Sequence, residues 1–130
     1  MASLIFDTTF LIDFQRERNR NPGRAHDFLR SHARDAAFLP VPAYGEFAEG
    51  FADRSDAAFL SLVESFELLP VTRAVADVYA TVVRDLRATG KLIGTNDLWI
   101  AAVALEKQWP LVTRNLQDFS RVSGLRCLGY

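Results

Sequence analysis

The chain has 130 residues, 15 Lys plus Arg against 16 Asp plus Glu, and 49% hydrophobic residues. That composition excludes disorder and fits one domain, residues 1–130, large enough to bury a core without staples. The net charge of −1 gives no general attraction to a polyanion, and no apolar run approaches the ~20 residues of a membrane span.

Leu4-Ile5-Phe6 is too short for a helix and reads as a buried strand ending at Asp7. No basic residue precedes it, so Met1 to Asp7 is not a signal peptide. With one cysteine, Cys127, the expectation is a reducing compartment, the cytoplasm. Thr8 or Thr9 caps a helix through Phe10, Leu11 and Phe14 to about Glu17. Residues 15–24 are strongly polar, with a break at Asn21-Pro22-Gly23. A helix carrying Phe28 and Leu29 follows, to about Arg34. Residues 37–41 form a second buried strand. Pro42 suits the first turn of the next helix, where Tyr44, Phe47, Ala48 and Phe51 recur at helical spacing. Ser55-Asp56 begins another helix with Phe59, Leu60 and Val63 inward.

Residues 66–71 form a third strand. Thr72 caps a helix in which Val75, Val78, Tyr79, Val82, Val83 and Leu86 keep the amphipathic pattern, and Gly90 ends it. Asn96-Asp97 opens a helix over residues 98–107 that is apolar nearly all round, hence central. Residues 110–113 form a fourth strand, residues 115–119 a short helical turn, and residues 125–128 an edge strand. Strands separated by helices imply an α/β fold: a parallel sheet of four to five strands with helices on both faces.

Ligands of open α/β sheets bind outside the carboxyl ends of the strands. Asp7, Glu46, Asp97, Asn115 and Asp118 fall at such positions, with no Lys or His among them. Gathered carboxylates repel and raise one another's pKa, so a protein that gathers them usually supplies a cation. Oxygen ligands suit Mg²⁺, with Mn²⁺ as a substitute, while His26, His32 and Cys127 leave little for zinc. Such an ion acidifies a bound water and neutralises phosphoryl charge.

Each acid has a plainer use. Asp7 alone is most often a helix cap, Asp97 can merely favour a helix dipole, and Asp118 can be a solvated turn residue. Glu46 lies among apolar neighbours, so its carboxylate is at a rim or paired. Between Asn115 and Asp118, charge favours Asp118 as the metal ligand, with Asn115 orienting it. Six arginines lie between Arg16 and Arg34, and Arg114 adjoins the acids as a candidate RNA contact. Aspartyl-phosphate chemistry is disfavoured, because Asp7-Thr8-Thr9 is not Asp-x-Asp. A non-catalytic RNA- or partner-binding module on the same fold is the alternative.

Four segments carry a family resemblance over nearly the whole chain. They are Ile5-Phe6-Asp7-Thr8-Thr9-Phe10-Leu11-Ile12, Val41-Pro42-Ala43-Tyr44-Gly45-Glu46-Phe47, Ile93-Gly94-Thr95-Asn96-Asp97-Leu98-Trp99-Ile100-Ala101-Ala102, and Leu111-Val112-Thr113-Arg114-Asn115-Leu116-Gln117-Asp118-Phe119. The chain resembles the PIN-domain ribonucleases, and within them the VapC toxins of bacterial toxin–antitoxin pairs. The resemblance implies a single PIN-like domain and a metal-dependent endoribonuclease using Asp7, Glu46, Asp97 and an acid from the Asn115/Asp118 segment, which the charge argument assigns to Asp118; Thr8, Thr113 and Asn115 are expected in support. It also implies a homodimer and a small VapB-like antitoxin. Thr9 stands where Asn or Ser is commoner, and Asn115 where some relatives have Asp.

Overall fold

A computed structural model describes residues 1–18 and 20–130 of the chain. Asn19, inside the polar stretch expected after the first helix, lies outside the described residues. The elements are β1 Ser3–Phe6, α1 Thr8–Arg18, α2 Arg24–Ser31, β2 Ala36–Pro40, α3 Val41–Ala48, α4 Ala57–Val63 and β3 Glu67–Leu69. They continue with α5 Arg73–Ala88, α6 Thr95–Lys107, β4 Leu111–Val112, α7 Leu116–Phe119 and β5 Cys127–Leu128. Among the described residues, no helix is long and apolar enough to cross a membrane.

The strands form one sheet in the order β3-β2-β1-β4-β5, every pairing parallel. β1 is central: Ile5 aligns with Phe38 of β2 and with Leu111 of β4. A strand covered on both faces has no polar side, and Leu4, Ile5 and Phe6 are accordingly all buried. From β1 to β3 the chain moves one way across the sheet; from β3 to β5 it returns past β1. Right-handed crossovers then set the two groups of helices on opposite faces. The order reverses between β1 and β4, the switch point where a crevice opens at the strands' carboxyl ends.

α6 is the central helix: Leu98, Ile100, Ala101, Ala102, Val103 and Ala104 are buried. It starts at Thr95, earlier than the sequence suggests, so Asp97 sits inside the first turn. Thr72 caps α5 through the Val75 N–H, and Gly90, with φ of +66°, closes the end of α5 as expected. Several expectations shift. Asp7, not Thr8 or Thr9, caps α1, its Oδ1 accepting from the Phe10 N–H at 3.1 Å. On α4, Leu60 points outward at 46% exposure and Leu62 takes its place in the core. β3 is shorter than expected, because Pro70 has no N–H to extend the ladder. α2 ends at Ser31, three residues early.

α2 starts without a cap of its own, since Gly23 has no side chain. Glu17, on α1, reaches across instead. It accepts from the backbone N–H groups of Gly23, Ala25 and His26 at 2.9, 3.0 and 2.9 Å, and contacts His26 Nδ1 at 2.8 Å. A Cβ at Gly23 would lie 2.9 Å from the Glu17 carboxyl carbon, so this approach requires glycine.

Candidate active site

Asp7 follows β1 directly, and it is the most enclosed acid of the edge, 1% exposed. Its Oδ1 accepts from the Thr9 hydroxyl at 2.7 Å and from the Phe10 N–H. Its Oδ2 accepts from the hydroxyl of Thr113, which follows β4. A carboxylate offers about four acceptor positions, so one remains open, on Oδ2. Burial pushes the Asp7 carboxyl up, against the opposing pull of those three donors and of the Arg114 charge.

Glu46, one turn into α3, is half-buried and accepts from the Thr8 hydroxyl at 2.5 Å. The two readings of this residue, rim and pairing, are both met. Asp97 hangs from the first turn of α6. Its carboxyl is raised to about 6, first by burial and then by the negative charges of Asp7, Glu46 and Asp118. Four carboxylates from four separate segments thus share one field.

Asn115 and Asp118 fall on one face, and the Asn115 amide donates to Asp118 Oδ2 at 3.1 Å. Asn115 is itself fixed by its N–H, which donates to the Thr113 hydroxyl oxygen at 2.9 Å. Arg114 is exposed and pairs with Asp13 on α1, not with the site acids. Two residues absent from the sequence reading border the edge. Arg121 stands 3.8 Å from Asp118, one turn further along. Asp13 sits among Phe10, Leu11, Ile12 and Phe14, the same acid-among-apolars signal that marks Glu46.

The donor set suits a hard divalent cation. It is all oxygen, and at Asp97 burial first and the charges of three neighbouring acids next all disfavour the charged form. It is not a tight cage: among the described residues, no three His, Cys, Asp or Glu groups stand close enough to ligate one ion.

The family model for the PIN domain matches residues 4–125. The chain belongs to the PIN-domain family. Ribonuclease VapC1 of Rickettsia felis is 39% identical over 134 residues, covering 96% of this chain and 94% of that protein. Ribonuclease VapC1 of Methanocaldococcus jannaschii is 25% identical, covering 93% and 82%. Among solved structures, VapBC2 from Rickettsia felis bound to a promoter DNA fragment superposes with a TM-score of 0.82 at 18% identity, covering 98% of each chain. VapBC-5 of Mycobacterium tuberculosis, a toxin–antitoxin system, gives 0.70 at 24% identity, covering 100% of each. These two likenesses establish the PIN fold; the site here rests on the geometry above. The parallel sheet, its five strands and the helices around it agree with the α/β fold expected of this family.

Proposed function

We propose that this PIN-domain chain is an endoribonuclease toxin whose acidic edge binds Mg²⁺ and cleaves RNA phosphodiester bonds. The supporting observation is that Asp7, Glu46, Asp97 and Asp118, from four separate segments, gather at one edge, where burial first and the other three acids next raise Asp97 to about 6. Asp7, Asp97 and Asp118 would hold the ion, partly through its own waters because among the described residues no three acids stand close enough to ligate it together, with Mn²⁺ able to replace Mg²⁺. When bound, the ion supplies an acidified water and neutralises charge on the phosphoryl oxygens. Glu46 lies at the rim, placed by Thr8 to accept a proton from an attacking water. Thr113 holds Asp7 in one rotamer, and Asn115 does the same for Asp118. Arg114 faces solvent beside the acids and contacts RNA phosphate there.

The partner is a VapB-like antitoxin, encoded nearby and acting in the cytoplasm. Phe10 and Phe47 are both core. Phe51 is half-buried and lines a hollow of about 180 Å³ with Ile12, Gln15, Glu46 and Phe47. An amphipathic antitoxin segment fits there, with a cationic side chain reaching past Glu46 toward the acids. The toxin itself is a homodimer. Purified protein incubated with RNA, with and without Mg²⁺, tests the activity. Cleavage that needs the metal and disappears in Asp97→Asn supports the reading; metal-independent or undiminished cleavage overturns it.

A further inference from the structure

Asp13 lies outside the acid set, its side chain only 16% exposed. Its oxygens accept from Nη1 of Arg114 at 2.8 and 3.1 Å. Oδ2 also accepts from the Tyr130 hydroxyl at 2.7 Å. The Tyr130 ring stands edge-on to the fully buried Phe10, 4.9 Å between centroids, which anchors this end in the core. Burial first, and Asp13 next, hold the Tyr130 hydroxyl protonated well above its usual range, so it remains a donor.

The other end lies at the acidic edge. Arg114 follows Thr113, the donor to Asp7, and its N–H approaches Thr9 Oγ1 at 3.4 Å. Its side chain is 55% exposed. Among the described residues, only Nη1 has a side-chain partner. The Nε–Nη2 side of the guanidinium is therefore available as a two-pronged fork, the geometry that grips a phosphate. An ion pair with so exposed a partner adds little to stability. Holding Arg114 does have a use. A loose guanidinium is drawn onto neighbouring carboxylates, where it competes with a metal ion.

We propose that Asp13 and Tyr130 are positioning residues that fix the Arg114 guanidinium beside the acidic edge, its open fork turned to an RNA phosphate. The proposal deepens the nuclease reading and rests on it for the choice of ligand. Its test uses binding, so that it is read separately from cleavage. A short fluorescent single-stranded RNA is titrated into the cleavage-deficient Asp97→Asn protein, and into the same protein carrying further changes. Arg114→Gln is expected to weaken binding about tenfold, Asp13→Asn about threefold and Tyr130→Phe about twofold. The slope of log Kd against log salt falls by about 0.7 in Arg114→Gln, as for one lost phosphate contact.

The sign of the Asp13→Asn effect is decisive. Removing an acid beside a polyanion site tightens binding if only net charge matters; loss of positioning weakens it. In the Arg114→Gln background, Asp13→Asn and Tyr130→Phe are expected to add nothing. Tighter binding in Asp13→Asn, or effects that persist without Arg114, overturns the proposal. Should Asp13→Asn fail to fold, Tyr130→Phe with and without Arg114→Gln decides by the same criterion. Wild-type protein that cuts no RNA, beside variants that bind RNA as described, would sink the nuclease reading and leave the clasp standing. Cleavage with binding indifferent to all three changes would do the reverse.

Discussion

Glu17, near the end of α1 with its carboxylate at the start of α2, and Asp97, in the first turn of α6, are treated by the fold in opposite ways. Partial burial pushes Glu17 up, but the backbone donors of His26, Ala25 and Gly23, together with the His26 ring, outweigh it and hold its carboxyl at about 2. Asp97 has burial and three acids instead, and stands at about 6. The first acid closes a helix end; the second is kept where its charge is unfavourable. Hydrogen-bonded charge at the α1–α2 connection makes a structural joint; charge disfavoured by burial and like neighbours, at the carboxyl edge of the sheet, is an arrangement that functional sites use.

The sharpest way to break this contrast is to neutralise the strained acids. Asp97→Asn and Asp7→Asn are expected to lose cleavage on the order of 10³-fold, as when one preorganised electrostatic group is removed. Initial rates on labelled RNA, with circular dichroism to verify folding, check this. Next come the two residues after β4. Asp118→Ala is expected to lose about 100-fold, partly restored by high Mn²⁺, and Asn115→Ala about tenfold. The Mg²⁺ dependence of each rate separates a lost ligand from a lost orienting amide. Unchanged metal dependence in Asp118→Ala beside a dead Asn115→Ala would reverse the assignment.

Stability sharpens the same contrast through pH. Asp97 prefers its proton in the folded state, so folding loses stability as pH rises from about 4 to about 6. Asp97→Asn is therefore expected to be more stable than wild type at pH 7, by about 1–2 kcal/mol after allowance for solvent screening. The gap closes toward pH 4, and Mg²⁺ raises the melting temperature of the wild type alone. Glu17 runs the other way. Its contribution is complete above about pH 4.5 and disappears as pH falls toward about 2. Glu17→Gln is expected to cost about 1 kcal/mol at pH 7, the size of a lost helix cap, with the difference shrinking in acid. Gly23→Ala, which displaces the same carboxylate, is expected to cost no more. Thermal melts at three pH values measure all of these.

The sequence made one side of this comparison readable and concealed the other. Short, mostly apolar runs located the five strands, most plainly the central β1, since a strand buried on both faces must be continuously apolar. The Asn115–Asp118 contact followed from helical spacing. The edge acids were legible because strand ends are fixed by the same apolar runs. Glu17 was not: its partners lie six to nine residues away across a polar connection, where no periodicity reports contact. Leu60 and Leu62 were exchanged because both are leucine on a short helix, and two turns cannot fix a phase. Asp13 carried a usable signal, an acid in an apolar stretch. Its arginine partner 101 positions away carried none.

That last kind of distance has a bearing on how the protein comes into being. Thr113 and the Asp7 it holds are separated by 106 positions, and β1 gains its β4 neighbour only through residues 111 and 112. Translation must therefore run past that point before Thr113 and the residues after β4 can complete the edge around Asp7. A growing chain that has not reached residue 118 carries Asp7 without Asp118, and a protease cut between the two leaves them on separate pieces. On the proposed reading, a product cut short of Asp118 lacks part of the acid set, and the edge is complete only once the chain has passed that point.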